Sequence, residues 1–165
     1  LLAFLFVFLF LAAQYESWSV PIAVLLSLPA ACVGAFIGIS LSGVENNIYF
    51  QIGIVMLIGM AAKNAILIVE FAQDQVEKGV DIIEAAVIAG TLRFRPIVMT
   101  SLTFILGMLP LLWASGPGSA SRQSIGVGIF SGMLVSMTIG IILVPFFFVW
   151  IHKIKAGFKN KIEKK

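Results

Sequence analysis

The sequence predicts an all-α fold, a polytopic transmembrane helical bundle of about five spans. Three observations predict it. The chain is 60% hydrophobic and 12% charged, with a mean hydropathy of +1.07. An ordinary soluble domain is about half apolar and about a quarter charged, so the material for a solvated surface is missing. The apolar residues also gather into runs near the ~20 residues that a helix needs to cross a bilayer, and short polar or Gly-rich connections separate the runs.

The elements follow in order. Residues 1–13 are apolar but short, and the chain opens on Leu1 inside the run, with no Met and no basic stretch. That is unlike a signal peptide and reads as a cut made within a span. Tyr15 and Trp18 are interfacial aromatics in the next connection. Residues 21–41 form a full span, with Pro21 suited to the first turn of a helix. A turn over 42–47 leads to a span over 48–71. Residues 73–95 carry most of the charge outside the C-terminus. There Asp81 and Glu84 have the spacing of an N-cap and its capping-box partner, and Val80, Ile83, Val87 and Ile88 recur at helical spacing. This predicts a short amphipathic helix over about 81–92, near the membrane surface. Spans over 96–113 and 125–151 complete the set, with a Gly/Ser/Pro turn between them.

Charge orients the chain. Six of the eleven basic residues lie between Lys153 and Lys165, which makes residues 153–165 a basic tail and not the surface of a nucleic-acid binder. Basic loops face the cytoplasm. The tail and the 73–95 segment are two spans apart, so topology and charge both put them on the cytoplasmic side. The single cysteine, Cys32, has no partner for a disulfide and no metal-site company. There is no Walker loop, no Ser-His-Asp set and no metal-ligand cluster, so nothing points to ATP, an enzyme or a cofactor. Gly34-x-x-x-Gly38 has a close-packing spacing, and ordinary helix packing is the simpler account of it. Met56, Met60, Met99 and Met108 read as packing residues, and His152 as an interfacial anchor.

Lys63 is the anomaly. It lies inside the 48–71 span, roughly 12 Å from that helix's cytoplasmic end at 1.5 Å per residue. An unpaired ammonium near the bilayer centre costs about 2.5–3.5 kcal/mol on insertion scales. It needs a carboxylate, a wet cavity or a shifted pKa. The bland account is a snorkelling or statically paired lysine; the functional one is a proton- or ion-coupling site. Glu70 is roughly 10 Å further along the same face, and no Asp or Glu lies deep in another span. The expected partner is therefore acidic and outside this chain, on a span preceding Leu1. Thr100 lies at comparable depth on the next span, where its hydroxyl serves either a relay or its own i−4 carbonyl. Asn64 and Ser101 extend the polar patch. Arg93 and Arg95 flank the cytoplasmic mouth, with lipid anchoring as the simpler role.

The stretch Gly59-Met60-Ala61-Ala62-Lys63-Asn64-Ala65-Ile66-Leu67-Ile68-Val69-Glu70-Phe71-Ala72 resembles the tenth transmembrane helix of the resistance-nodulation-division (RND) multidrug efflux transporters. Arg93-Phe94-Arg95-Pro96-Ile97-Val98-Met99-Thr100-Ser101 resembles the start of their eleventh helix. Tyr15-Glu16-Ser17-Trp18-Ser19-Val20-Pro21 is similar to the loop between helices eight and nine, and Tyr49-Phe50-Gln51 to the opening of helix ten. The resemblance runs from about Leu1 to about Ile151 and is greatest to the hydrophobe/amphiphile efflux branch.

It implies a C-terminal membrane fragment, helices eight to twelve, of a homotrimeric pump in the bacterial inner membrane with a cytoplasmic C-terminus. It implies exchange of protons for hydrophobic or amphiphilic drugs, with protons as coupling ion and no cofactor, in concert with a periplasmic adaptor and an outer-membrane channel. It places the family's helix-ten lysine on Lys63, paired with two aspartates of a helix absent here, its relay threonine on Thr100, and the arginine of the cytoplasmic proton path on Arg93. Asn64 joins the candidate relay by adjacency. The competing reading is a non-transporting membrane scaffold, or a related bundle for protein export or lipid handling, in which Lys63 is a static anchor.

Overall fold

A computed structural model describes residue 9 and residues 19–162, with side chains as far as residue 154. The first predicted span and the Tyr15 connection fall outside the described residues. The rest is a helical bundle: α1 (Ser19–Ser42), α2 (Ile48–Glu77), α3 (Ile82–Leu112), α4 (Ser119–Val135), a π-turn (Ser136–Gly140) and α5 (Ile141–Ile162). Among the described residues four helices are long and apolar enough to cross a membrane, the fourth running from Ser119 through Ile154. They are the four complete spans that hydropathy predicts.

The turns are built locally. Asn47 caps α2, its side chain accepting from the Phe50 N–H at 3.0 Å, and its amide also donates to Ser124 Oγ at 2.9 Å. Asp81 caps α3 through the Ile83 N–H at 3.2 Å, while Glu84 makes no return bond, so the capping box is half formed. Gly79, at φ 90, reverses the chain between α2 and α3, a conformation that costs other residues a Cβ clash.

Three boundaries differ from the expectation. First, α2 continues six residues past the predicted end of its span, to Glu77. Second, the amphipathic segment and the following span are one helix of 31 residues that runs through Pro96. A proline removes one ladder bond and bends a helix, but the neighbouring bonds survive and the helix continues. The buried face of that segment is Ala85, Ala86 and Ala89, whereas Ile83 and Val87 are exposed. Small side chains let α3 approach its neighbours closely. Third, α4 begins at Ser119, so Arg122 sits in its first turn and donates to the Ser115 and Pro117 carbonyls at 3.2 and 3.0 Å. At the other end α5 carries the helix into the basic tail.

Two apolar clusters hold the bundle. One joins Ala65, Ile68, Val69 and Ala72 of α2 to Ala23, Val24, Ala86, Ala89, Val144 and Phe148. The other joins Leu57 and Phe50 to Ala31, Ala35, Ile105, Ile129 and Met133. Helix α4 sits among α1, α2 and α3, and glycine makes this possible. A Cβ on Gly34 would lie 2.5 Å from that of Val135, and one on Gly38 would overlap Ser131. The Gly34-x-x-x-Gly38 pair is thus consumed inside the chain, against α4.

Candidate functional site

Helix α2 presents one exposed stripe. Met56, Gly59, Lys63, Glu70, Asp74 and Glu77 recur along it at steps of three, four and seven residues, the spacing of a single helix face. Its opposite face, Leu57, Ala61, Ala65, Ile68 and Ala72, is buried. Lys63 is therefore exposed, on the face of α2 opposite its buried side. Among the described residues it has no hydrogen bond and no ion pair; the ion pair present is Lys78–Asp74, at 2.7 Å on the surface. Glu70, on the same stripe, does not reach it.

Lys63 and Thr100 share a cleft of about 80 Å³ between α2 and α3, together with Asn64 and Ser101. Asn64 Nδ2 donates to Ser101 Oγ at 3.3 Å, and Ser101 is buried. The Thr100 hydroxyl bonds its own helix, at 3.1 Å to each of the Pro96 and Ile97 carbonyls. This arrangement leaves Thr100 an acceptor with unused lone pairs in the cleft.

Arg93 is elsewhere, nearer the α2–α3 turn. Its guanidinium lies over the Phe71 ring, 5.0 Å from the centroid, within cation–π range. It lines a second cleft, of about 310 Å³, with Glu70, Gln73, Asp74 and Glu77. Arg93 Nε and Gln73 Oε1 are buried with no hydrogen-bond partner among the described residues. The sequence reading singled out neither Phe71 nor Gln73. Their signal is spacing: both fall within three residues of Glu70, on the turn of α2 that faces Arg93. Arg95 is exposed, in keeping with an anchoring role. His152 Nδ1 is 3.1 Å from the Phe148 carbonyl of its own helix. Met60, Met99 and Met108 line an open groove beside Thr100; Met60 and Met108 also pack against the second apolar cluster, whereas Met56 and Met99 are exposed. Among the described residues no group of His, Cys, Asp and Glu is placed to hold a metal ion.

The described residues thus form a bundle of helices long and apolar enough to cross a membrane, with one ionisable stripe on an open helix face. Comparison with known proteins narrows the class. A profile of the AcrB/AcrD/AcrF family matches residues 1–152, and the chain belongs to that family. It is similar to the toluene efflux pump membrane transporter TtgB of Pseudomonas putida, 53% identical over 148 residues, which is 90% of this chain and 14% of that protein. It is similar also to two proteins of Escherichia coli (strain K12). The multidrug resistance protein MdtF is 48% identical over 155 residues, 93% of this chain and 15% of that protein. The multidrug export protein AcrF is 46% identical over 157 residues, 94% of this chain and 15% of that protein. The chain thus spans only 14–15% of the length of these relatives.

Proposed function

We propose that this chain is the lysine half of the proton relay in a drug efflux pump, a proton/substrate antiporter. One observation carries the reading: Lys63 stands on an open helix stripe with no partner of its own, at the rim of a polar cleft that holds Asn64, Thr100 and Ser101. The acidic partners lie on another span of the same transporter. While they are ionised they hold Lys63 by charge-assisted bonds. Protonation removes that attraction, and the ammonium turns to the Thr100 oxygen and the Asn64 carbonyl, its nearest polar alternatives. A dry site makes this exchange steep, since charge interactions there are stronger than in water. The resulting shift of α2 against α3 is the mechanical output. Arg93, above the acid-lined cleft, keeps that mouth wet and polar for proton entry.

The family membership and the names of the relatives support the rest of the proposal. The pump is a secondary active transporter, with no cofactor beyond the coupling proton. It lies in the bacterial inner membrane with its C-terminus in the cytoplasm, as a homotrimer. A periplasmic adaptor and an outer-membrane channel complete the path for hydrophobic or amphiphilic drugs. The test is Lys63→Ala in a full-length pump that carries this segment. Efflux is lost while the amount of protein in the membrane is unchanged. Undiminished drug resistance in that variant refutes the relay and leaves a scaffold or lipid-handling bundle.

A further inference from the structure

The π-turn is unexplained by the relay. Ser119 to Ile154 is one apolar helix of 36 residues, and its only π segment among the described residues is Ser136–Gly140. Both flanks are right-handed α, Val135 at φ −67, ψ −43 and Ile141 at φ −60, ψ −31. This is a single inserted residue in an otherwise regular helix, and such π-bulges concentrate at functional sites.

The local cause is legible. Thr138 Oγ1 donates back to the Leu134 and Val135 carbonyls at 2.8 and 3.2 Å, a bond that bends helices. Gly140 adds backbone freedom. Pro145 follows, and its missing N–H frees the Ile141 carbonyl just past the turn. The ladder is weakened on both sides of Gly140, so an α arrangement and a π arrangement lie close in energy.

The location is the second observation. The π-turn touches α1, α2 and α3 as well as its own flanks. Ser136 and Gly140 line a cavity of about 10 Å³ with Ser27 of α1 and Asn64 of α2, a volume at the threshold for one water molecule (roughly 10–15 Å³). Asn64 is the neighbour of Lys63 and the residue that bonds Ser101 of α3. One side chain therefore connects the relay cleft on one side of α2 to the π-turn on the other.

We propose that Ser136–Gly140 is a hinge coupled to the Lys63 helix through Asn64, so that movement of α2 is answered by conversion between π and α in the last span. The inference rests on the relay reading. The movement passes through the direct contacts of the π-turn with α1 and α2 around the small cavity that Ser27, Asn64 and Ser136 share.

The test uses the residue count, because a π-turn closes i→i+5 and holds one residue more than the α pattern. Thr138 is exposed and does not line the cavity. Its deletion restores α while both flanks keep their packing. In a full-length pump carrying this segment, the deletion is expected to slow efflux roughly tenfold, inside the ~5–150-fold range of couplings between sites, at normal membrane abundance. Thr138→Ser, which keeps both the count and the back-bond, retains efflux. If the deletion variant fails to accumulate, Gly140→Ala decides. Its Cβ would meet only Ser136 Oγ at 3.5 Å, and alanine favours the α form, so efflux is again expected to fall at full abundance. Full efflux in the variants that accumulate, or equal loss in Thr138→Ser, overturns the hinge. Lys63→Ala assayed alongside separates the two readings: if it abolishes efflux while the α-restoring variants do not, only the hinge fails; if it too retains efflux, the relay fails.

Discussion

Lys63 is exposed on this chain, and that exposure is the informative fact about it. A lysine at this depth that made an internal pair would be a structural anchor. A lysine turned outward, at a cost of about 2.5–3.5 kcal/mol when unpaired, is what the proposed relay requires, with its counterpart on another element. Thr100 is a finer case. Its hydroxyl proton goes to its own helix, so any relay role rests on its oxygen as acceptor. Thr100→Val removes that oxygen at equal size. We expect several-fold slower efflux at normal abundance, measured as dye extrusion from energised cells; an unchanged rate removes Thr100 from the relay. Arg93 predicts a separation of charge from shape. Lysine keeps the charge but loses the planar face that stacks on Phe71. Arg93→Lys should impair efflux more than Arg95→Lys, because Arg95 is exposed and has no such stack.

At the scale of elements, small residues decide how close the helices lie. A Cβ on Gly132 would meet the Ala31 carbonyl at 3.0 Å and collide with Leu57. Gly132→Val therefore overpacks α4 against α1 and α2, at about 1–3 kcal/mol or more. The measurement is thermal stability in detergent, where the variant should unfold earlier, while Gly107→Val, with no atom within 4 Å of a Cβ, should not. The frequency of glycine was legible in the sequence; its pairing was not. Gly34 and Gly38 have a spacing that serves equally for contact within a chain or between chains. Which it is depends on Ser131 and Val135, far along the chain on another helix. The break expected at Pro96 has a similar lesson. Proline reads locally as a terminus, but a helix with support on several sides spans it.

At the scale of the whole molecule, the chain is a bundle with one unfinished face. Among the described residues, no helix covers the stripe from Met56 to Glu77 or the groove beside Thr100. The segment alone should therefore insert without coupling protons to anything. Reconstituted in vesicles, residues 1–165 are expected to dissipate no imposed pH gradient, followed with a pH-sensitive dye; a dissipated gradient would refute the half-site reading. Orientation is testable in the same frame. The proposed orientation, with the basic tail on the cytoplasmic side, predicts that a fluorescent protein fused after Lys165 folds and fluoresces in cells.

Hydropathy and helical period act over one element at a time, so the sequence by itself determined the class of protein, the number and order of the complete spans, the turns between them and the one charge out of place. The tertiary structure alone decided where that charge faces. It also decided that Asn64 binds Ser101, that Arg93 stacks on Phe71, that the glycines of α1 close on α4, and that the last span carries a π-turn beside Asn64. These facts depend on which residues stand opposite one another after packing, often far apart in the chain, and no local pattern encodes that.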